Sequence, residues 1–201
     1  MARLAPSLVR ARTVIDARWP YRDRRSDGWI GDVAHQGRNS DHNPNARGIV
    51  DAIDVDMFGG TTPVTRGAIV AGFIVHPATN YVIFNRRIFQ ADDLFRPRVY
   101  NGINPHTEHC HCSVFQSVSA ENNPAPWTML AGWPDWPYLR KTSAGQHVRE
   151  LQALLNAWGS SLACDGDFGP ATDTAVRAYQ ARYGLAVDGI VGSETRGHLF
   201  T

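Results

Sequence analysis

The sequence has few cysteines, almost no net charge and no long apolar run, and each shortage argues against a class of protein. Three cysteines occur in 201 residues, and Cys110 and Cys112 are one residue apart on a predicted strand, which does not suit a disulfide framework. A formal net charge of +1 gives no support for binding to nucleic acid or anionic lipid. No apolar run approaches the ~20 residues of a membrane helix, and no signal peptide follows Met1. We expect a chain made in a reducing cytoplasm that binds no nucleic acid and does not insert into a membrane.

The remaining composition predicts packed globular structure, because 43% of the residues are hydrophobic and six are Trp. The N-terminal stretch predicts an amphipathic helix. Its inward-facing residues are expected to be Leu4, Leu8, Ala11 and Ile15. The arginines around this helix are expected to be solvated: Arg3, Arg10, Arg12, Arg18, Arg22, Arg24 and Arg25.

Residues 1–119 mix helix and strand signals. Residues 49–56 end in an alternation of apolar and acidic positions, which predicts a half-buried strand. Residues 67–76 predict a buried helix, and residues 81–84 and 88–90 predict two strands joined by a turn. Together with a His-rich strand near residue 110, these elements predict an α+β domain built on an antiparallel sheet.

The His-rich strand carries the strongest chemical signal. Side chains alternate faces along a strand, so His109 and His111 project to one side while Cys110 and Cys112 project to the other. Two imidazoles on one face form half of a metal site, and imidazole nitrogen suits zinc.

A catalytic zinc takes three protein ligands, so two more are needed beside His111. His42 lies in a polar loop rich in Asn and Pro and is a poor core residue. Three aspartates compete for the carboxylate position: Asp51, Asp54 and Asp56. Alternation puts Asp54 and Asp56 on one face, and Asp54 lies in an apolar run where a metal would offset the cost of its burial. We assign the carboxylate ligand to Asp54.

Residues 120–141 form a predicted linker, because prolines at this density exclude regular helix and central strand. Three tryptophans are too apolar for a free tether: Trp127, Trp133 and Trp136. We expect the linker to lie against one or both domains; contact between these tryptophans and a ligand is the alternative.

Residues 142–201 contain an internal repeat. The pattern Asp-Gly-x-x-Gly-x-x-Thr occurs at residues 165–172 and again at residues 188–195, and each copy enters a helix. Apolar residues at helical spacing before and between the copies predict a small all-α domain of three helices.

These motifs carry two family resemblances. Residues 142–201 closely resemble the peptidoglycan-binding domain of many cell-wall hydrolases. Residues 20–115 resemble the zinc peptidases that include D-Ala-D-Ala carboxypeptidases, murein endopeptidases and phage L-Ala-D-Glu endopeptidases, whose fold the hedgehog signalling domain shares. The motifs in order are Ser40-Asp41-His42, Ala52-Ile53-Asp54 and Glu108-His109-Cys110-His111. Eleven residues separate His42 from Asp54, more than in the usual family pattern, and an enlarged loop at residues 43–47 would absorb them.

The resemblance implies a Zn²⁺ cofactor held by His42, Asp54 and His111. It gives His109 a catalytic role, with Glu108 as the competing base and His106 as a third candidate. Glu108 would need a bulge to face the metal, because strict alternation turns it away. We assign substrate binding to three residues: Arg25, Ser40 and His106.

The two domains together predict a phage endolysin. It would be a monomer that is synthesised in the host cytoplasm, acts on the wall after release, and has bacterial peptidoglycan as its partner. Two rivals keep the N-terminal domain non-catalytic, either as a zinc domain without hydrolysis or as a scaffold for a wall-binding module. Two others use the cysteines, as a structural zinc knot with histidines or as a nucleophile paired with His109.

Overall fold

The computed structural model describes residues 1–31, 37–61, 65–128 and 136–200. Trp133 and Pro134 of the predicted linker lie outside these ranges. Within the described ranges the chain is a mixture of helices and antiparallel sheet. None of the described helices combines the length and apolar character required to cross a membrane.

The chain opens on a short strand and the predicted helix. Strand β1 (Arg3–Leu4) pairs in parallel with β2 (Ile49–Val50), and helix α1 (Pro6–Arg18) begins at a proline, whose fixed φ suits the first helical position. The buried side of α1 is formed by Leu8, Ala11 and Ile15, as predicted. Leu4 is also buried, but it belongs to β1 and not to the helix.

Five antiparallel strands form the main sheet, in the order β3-β7-β4-β5-β6. Their bounds are β3 Ala52–Asp56, β4 Thr79–Phe84, β5 Arg87–Gln90, β6 Arg98–Val99 and β7 His109–Val114. The turn between β4 and β5 consists of Asn85 and Arg86, both with positive φ, which is the geometry of a tight hairpin. The predicted antiparallel sheet and its hairpin are therefore confirmed.

Helix α2 (Arg66–Val75) is the buried helix that the sequence predicts, because every residue from Ala68 to Val75 is buried. It packs on β4 and, on another side, on helix α4 (Gln146–Ala157) of the C-terminal unit. A Cβ on Gly67 would lie 3.5 Å from Trp158 Nε1 and 3.6 Å from Leu154 Cδ2, so Gly67 lies at the contact between the two helices. One hydrophobic core thus runs through both units.

Three further helices complete the described chain: α3 Val118–Glu121, α5 Pro170–Arg182 and α6 Ser193–Leu199. The predicted linker boundary at residue 120 falls inside α3, whose Glu121 is buried and ion-paired with Arg47.

Trp127 is buried against His76, and Trp136 donates to Glu150 of α4. These two linker tryptophans therefore pack on the N-terminal and C-terminal units respectively.

The two Asp-Gly loops of the repeat have the same internal support. The Gln152 side-chain amide donates to Asp165 Oδ1 and to Thr172 Oγ1 in the first loop. Gln180 donates to Asp188 and Thr195 in the second loop in the same way. Each glutamine also accepts from the loop glycine amide, at 2.9 Å in both cases. Helices α4 and α5 thus each present a buried glutamine that holds one loop.

The prediction that the N-terminal arginines are solvated is wrong for Arg22. Arg22 is only 3% exposed, and its guanidinium donates to Asp16 and Asp27. A buried guanidinium needs such partners because desolvation of an unpaired charge is costly. This pairing fixes the segment that leads from α1 to Gly28, which bridges to Asp54 in β3.

Candidate metal centre

Strand pairing brings the first two candidate ligands together. In the β3–β7 register His111 lies directly opposite Asp54, and His109 lies opposite Asp56. Directly opposed residues on one face of an antiparallel pair have neighbouring side chains. His111 Nδ1 is accordingly 3.1 Å from Asp54 Oδ1. The alternation predicted for this strand is confirmed, since Cys110 and Cys112 are fully buried on the opposite face.

His42 joins this pair from the loop before β2. Its Nε2 lies 3.1 Å from His111 Nδ1 and 3.2 Å from Asp54 Oδ2. The histidine is buried, and its backbone carbonyl accepts from the amide of Gly31. Ligand-type atoms from three separate segments therefore meet, and each carboxylate oxygen of Asp54 faces one imidazole nitrogen.

The partners of the outer imidazole nitrogens determine which nitrogens carry hydrogen. His42 Nδ1 is 3.2 Å from the carbonyl oxygen of Trp29, which can only accept, so Nδ1 is protonated and Nε2 presents a lone pair. Ser113 Oγ uses its single hydrogen to donate a hydrogen bond to Asp41 Oδ2 at 2.7 Å. His111 Nε2, 3.1 Å from Ser113 Oγ, must then be the donor, which leaves a lone pair on His111 Nδ1.

Two imidazole lone pairs and a carboxylate facing one another are mutually repulsive unless a cation lies between them. Tetrahedral zinc with bonds of ~2.0–2.1 Å separates neighbouring ligand atoms by about 3.3 Å. The two imidazole nitrogens are 3.1 Å apart, and each lies 3.1 or 3.2 Å from its own oxygen of Asp54, which is close to that value. Histidines that bind a metal usually donate their other ring N–H to an oxygen in this way, which fixes the orientation of the ring. The donor set and its tautomers thus fit zinc.

The electrostatics of the triad favour an ionised carboxylate. Burial opposes ionisation of Asp54, but the imidazoles of His111 and His42, when protonated on the facing nitrogens, donate to it and hold the pKa of Asp54 well below its usual range. A cation between the three groups would take the place of those protons. Burial likewise opposes charging of His42, yet the Asp54 carboxylate more than compensates and raises the pKa of His42. The centre is therefore one that stabilises positive charge.

Tyr81 covers one side of the triad. Its ring stacks on His111 with centroids 5.3 Å apart. Burial, followed by the charge of Asp41, raises the pKa of Tyr81 well above its ordinary value, so its hydroxyl stays protonated. The roles of Tyr81, Ser113 and Asp41 were not predicted from the sequence, because only the β4–β7 pairing and the His42 loop bring these residues together.

The candidate catalytic residues flank Asp54. His109 Nε2 lies 3.8 Å from Asp54 Oδ1, so His109 is beside the triad and outside its closest contacts. Glu108 is exposed and lines a surface pocket of about 530 Å³ together with Asp54 and His109. Glu108 thus lines the same pocket as Asp54 of the triad, although it precedes the first residue of β7.

The three residues assigned to substrate binding lie in different surroundings. Arg25 lines the pocket that contains Glu108, and a second pocket of about 580 Å³ that adjoins it.

Ser40 Oγ accepts from the amide of His42 and so supports the loop that carries this ligand. His106 is buried, its ring contacts those of His109 and His111, and burial lowers its pKa to about 4 with the help of those two histidines. Substrate contact by all three residues stays a prediction, and Ser40 and His106 are not among the described lining residues.

The competing aspartates have other partners. Asp56 accepts from the amide and hydroxyl of Ser26 and from the amide of Phe58. Asp51 is fully buried and accepts from Asn45, and burial raises its pKa to about 6. Neither carboxylate belongs to the triad of donor atoms.

The cysteines cannot easily supply a thiolate at this centre. Cys110 and Cys112 are free and face the core, and burial raises the pKa of both thiols well above the ordinary value. A thiol in apolar surroundings is a poor ligand and a poor nucleophile. Their position argues against both the zinc knot and the cysteine nucleophile.

The enlarged loop between His42 and β2 is organised by Asn45. Its side-chain oxygen accepts from the amides of Arg47 and Ile49, and its nitrogen donates to Asp51 and Glu121. These four contacts close the loop on itself and tie it to α3. The additional residues therefore form a compact turn that still brings His42 to Asp54.

Residues 144–199 match the family model described as a putative peptidoglycan binding domain. The chain is 45% identical over 65 residues to the zinc D-Ala-D-Ala carboxypeptidase of Streptomyces albus G, which covers 31% of this chain and 26% of that protein. It is 46% identical over 57 residues to the N-acetylmuramoyl-L-alanine amidase CwlM of Mycobacterium tuberculosis, covering 28% and 14% respectively. Among solved structures, the Burkholderia AP3 phage endolysin is 43% identical over 31% of this chain and 24% of that chain, with a TM-score of 0.31.

The predicted resemblance of the C-terminal unit to the peptidoglycan-binding domain is confirmed by this family match. The chain spans only about a quarter of the carboxypeptidase, 26%, and a still smaller part of the amidase, 14%. The match to the carboxypeptidase is 65 residues long, which is shorter than residues 1–119 together with the 56 residues of the family match. That match therefore does not span both units in full.

Proposed function

We propose that this protein is a zinc-dependent peptidase that hydrolyses an amide bond in the stem peptide or crosslink of bacterial peptidoglycan, and that it acts as a phage endolysin. The observation that carries the proposal is the triad of His42 Nε2, His111 Nδ1 and the Asp54 carboxylate, with pairwise separations of 3.1 to 3.2 Å. The peptidoglycan-binding match at residues 144–199 supports the wall as the partner.

His42, Asp54 and His111 would hold the zinc ion through the atoms that already face one another. Zinc, when bound, supplies Lewis acidity that polarises a scissile carbonyl and makes water more acidic. The Trp29 carbonyl and Ser113 fix the two imidazoles in the tautomers that offer lone pairs to the ion. The ionised Asp54 contributes the negative charge of the donor set.

A peptidase of this kind also needs a group that accepts a proton from the attacking water and returns it to the leaving amine. His109 and Glu108 are the two candidates, and both line the pocket that contains Asp54. His109 is the more sheltered of the two, with a side chain that is 14% exposed. The geometry of the free enzyme allows either, because such contacts tighten only when substrate binds.

The two adjoining pockets are where we place the stem peptide. Arg25 lines both of them, and its side chain is 87% exposed at 2.7 Å from Asp23. A guanidinium in this position can pair with a carboxylate of the substrate. Ser40 would contribute indirectly, through the loop that carries His42.

Metal analysis combined with wall lysis tests the proposal. The purified protein should contain one zinc per chain and should clear cell-wall material, and a chelator should abolish the clearing. Asp54→Asn removes the anionic ligand with little change of shape and should lose both zinc and lysis. Asp92→Asn, at an exposed position of the 3₁₀ turn Ala91–Asp93, is the matched control and should keep both. Mass spectrometry of the released fragments would identify the bond that is cut.

Two outcomes would contradict the proposal. An Asp54→Asn variant that clears walls as well as the parent would show that the triad is not the active centre. One zinc per chain without release of any fragment would favour the alternative of a non-catalytic zinc-containing protein that binds the cell wall. Gel filtration of the zinc-loaded chain, whose mass is 22.2 kDa, checks the expected monomer.

A further inference from the structure

The two Asp-Gly loops have the same internal support, and each pairs with the segment that leads into α4. The first loop, residues 165–172, is covered by the preceding chain: the Gly145 amide donates to Gly166 O at 2.8 Å, and the Phe168 amide donates to Ser143 O at 3.0 Å. The second loop, residues 188–195, pairs with that chain through the bridge between Leu139 and Val191.

Beside the second loop the structure has a surface pocket of about 310 Å³. Its lining includes an aromatic ring and charged groups of both signs: Tyr138, Arg140, Asp188 and Glu194. Hydrogen bonds from the Ile190 amide and from Gln180 lower the pKa of Asp188, so this carboxylate is ionised at neutral pH. Aromatic surface with a few convergent polar groups is the usual composition of a small-ligand site.

Tyr138 is exposed and contacts the second loop. It is 69% exposed, but a Cβ on Gly192 would come within 2.7 Å of its Cε1. The ring therefore lies against the second loop at Gly192, where an added Cβ would displace it. An aromatic side chain that is seated on one side and open to solvent on the other is a preformed stacking surface.

The sequences of the two loops differ at this pocket. The first loop has Pro170 and Ala171 where the second has Ser193 and Glu194, both of which line the pocket. Two hydrocarbon side chains are thus replaced by a hydroxyl and a carboxylate beside Tyr138. The repeat keeps its scaffold and changes residues that line this pocket.

We propose that the pocket at Tyr138 and the second loop binds a hexosamine unit of the glycan strand of peptidoglycan. The assignment rests on the proposed wall-binding function and names the site and the part of the wall it recognises. A hexosamine ring has a face of C–H groups, which suits a tyrosine ring, and a rim of hydroxyl and acetamido groups. The carboxylates of Asp188 and Glu194 accept from hydroxyls, and Arg140 donates to oxygens.

Titration of the full chain with the tetramer of N-acetylglucosamine tests the site directly. The amide resonances of residues 138–140 and 188–195 should change their chemical shifts when the tetramer is added. Tyr138→Ala should weaken binding about tenfold. Tyr138→Phe keeps the ring and should bind within about twofold of the parent. Tyr21→Ala is the matched control, because Tyr21 is also 69% exposed but lies in the N-terminal unit.

A second pair of variants tests the seat of the ring without removing it. Gly192→Ala should displace Tyr138 and weaken binding, because of the 2.7 Å approach. Gly169→Ala, at the same position of the first loop, meets only Asp167 Oδ2 at 3.2 Å and should bind as the parent does. Equal affinity of parent, Tyr138→Ala and Gly192→Ala would overturn the inference. Shifts at these residues on adding the free stem tetrapeptide, and none with the tetramer, would overturn the choice of ligand.

Cosedimentation with insoluble walls separates this inference from the proposed function. A parent protein that does not sediment with walls would contradict wall binding itself. A parent that sediments, together with a Tyr138→Ala variant that sediments equally well, would overturn only the site at the second loop. Loss of sedimentation in Tyr138→Ala, with unchanged cleavage of a soluble muropeptide, is the expected result.

Discussion

Ser113 Oγ lies 3.1 Å from His111 Nε2 and donates a hydrogen bond to Asp41 Oδ2 at 2.7 Å. This chain of two hydrogen bonds has one consequence for the candidate ligand. It obliges His111 to carry its proton on Nε2 and to offer Nδ1 to the Asp54 side. His111 and Ser113 belong to β7, and Asp41 belongs to the loop that carries His42. The loop that supplies the ligand His42 therefore also supports the ligand His111.

Ser113→Ala should therefore weaken metal binding while leaving the fold intact. The variant removes the acceptor for His111 Nε2–H and lets the imidazole change tautomer, and we expect zinc affinity to fall roughly 10- to 100-fold. Competition with a chromogenic chelator measures this change without any assay of hydrolysis. Ser113→Thr restores the hydroxyl and should recover most of the affinity. An alanine variant with parental affinity would show that the tautomer is set in another way.

The choice between Glu108 and His109 as base can be made from pH profiles. Replacement of the true base, as Glu108→Gln or as His109→Gln, should lower turnover by roughly 10²- to 10⁴-fold and remove the acidic limb of the profile. Replacement of the other residue should change turnover far less and preserve that limb. Zinc content must stay at one per chain in both variants for the comparison to hold. Similar small effects in both would exclude both residues as the base.

His76 makes stability depend on pH in a direction that its contacts define. Its Nδ1 accepts from the Ala78 amide, its Nε2 donates to Ala125 O, and its ring stacks on Trp127 at 3.5 Å. Burial lowers the pKa of His76 below its ordinary value near 6.5. Between the lowered and the ordinary pKa the unfolded chain binds more protons than the folded one, so stability is lost as the pH falls below about 6.5.

His76→Gln should flatten this dependence, because glutamine does not titrate. Thermal unfolding of parent and variant between pH 5 and pH 8 measures the difference in slope. Asp51, whose pKa burial raises to about 6, contributes with the opposite sign and is present in both proteins, so it cancels in the comparison. Identical slopes would mean that His76 does not titrate in this range.

Much of the first domain follows from local rules, and the remainder depends on contacts between distant segments. Alternation alone predicts that Asp54 shares a face with Asp56 and that His109 shares one with His111, because a strand has a period of two. The register that sets His111 opposite Asp54 follows from strand pairing across 57 residues. The same limitation explains why Arg22 was expected to be solvated: its partner Asp27 is reached only through a turn that composition does not reveal.

The linker is the clearest case in which composition predicted a segment but not its role. Its prolines and tryptophans predict an irregular segment that lies against the domains, and Trp127 and Trp136 are buried accordingly. The packing of α2 against α4 was not predictable. The sequence of α2 is apolar on all sides, so it does not indicate which elements pack against it. What looked like a separable binding module shares a core with the domain before it.

Because of this shared core, a protein truncated after residue 141 should be unstable and not merely weaker in wall binding. Removal of α4 would expose one side of α2, and Arg87 would lose the carbonyls of Asn156 and Ser160, to which it donates at 2.6 and 2.7 Å. We expect the truncated chain to bind a hydrophobic dye and to unfold at a lower temperature than the full chain. Full stability of the truncated chain would show that α2 does not need α4.

A point variant tests the same interface in the intact chain. Gly67→Leu would force a side chain into the contact with Trp158 and Leu154, and overpacking of this kind costs about 1–3 kcal/mol of unfolding free energy. Gly197→Leu is the matched control, because Gly197 lies in α6 with nothing within 4 Å of an added Cβ. Denaturant unfolding should show a lower midpoint for Gly67→Leu only. Since neither residue touches the triad, zinc content should be parental in both, and this separates loss of the interface from loss of the metal centre.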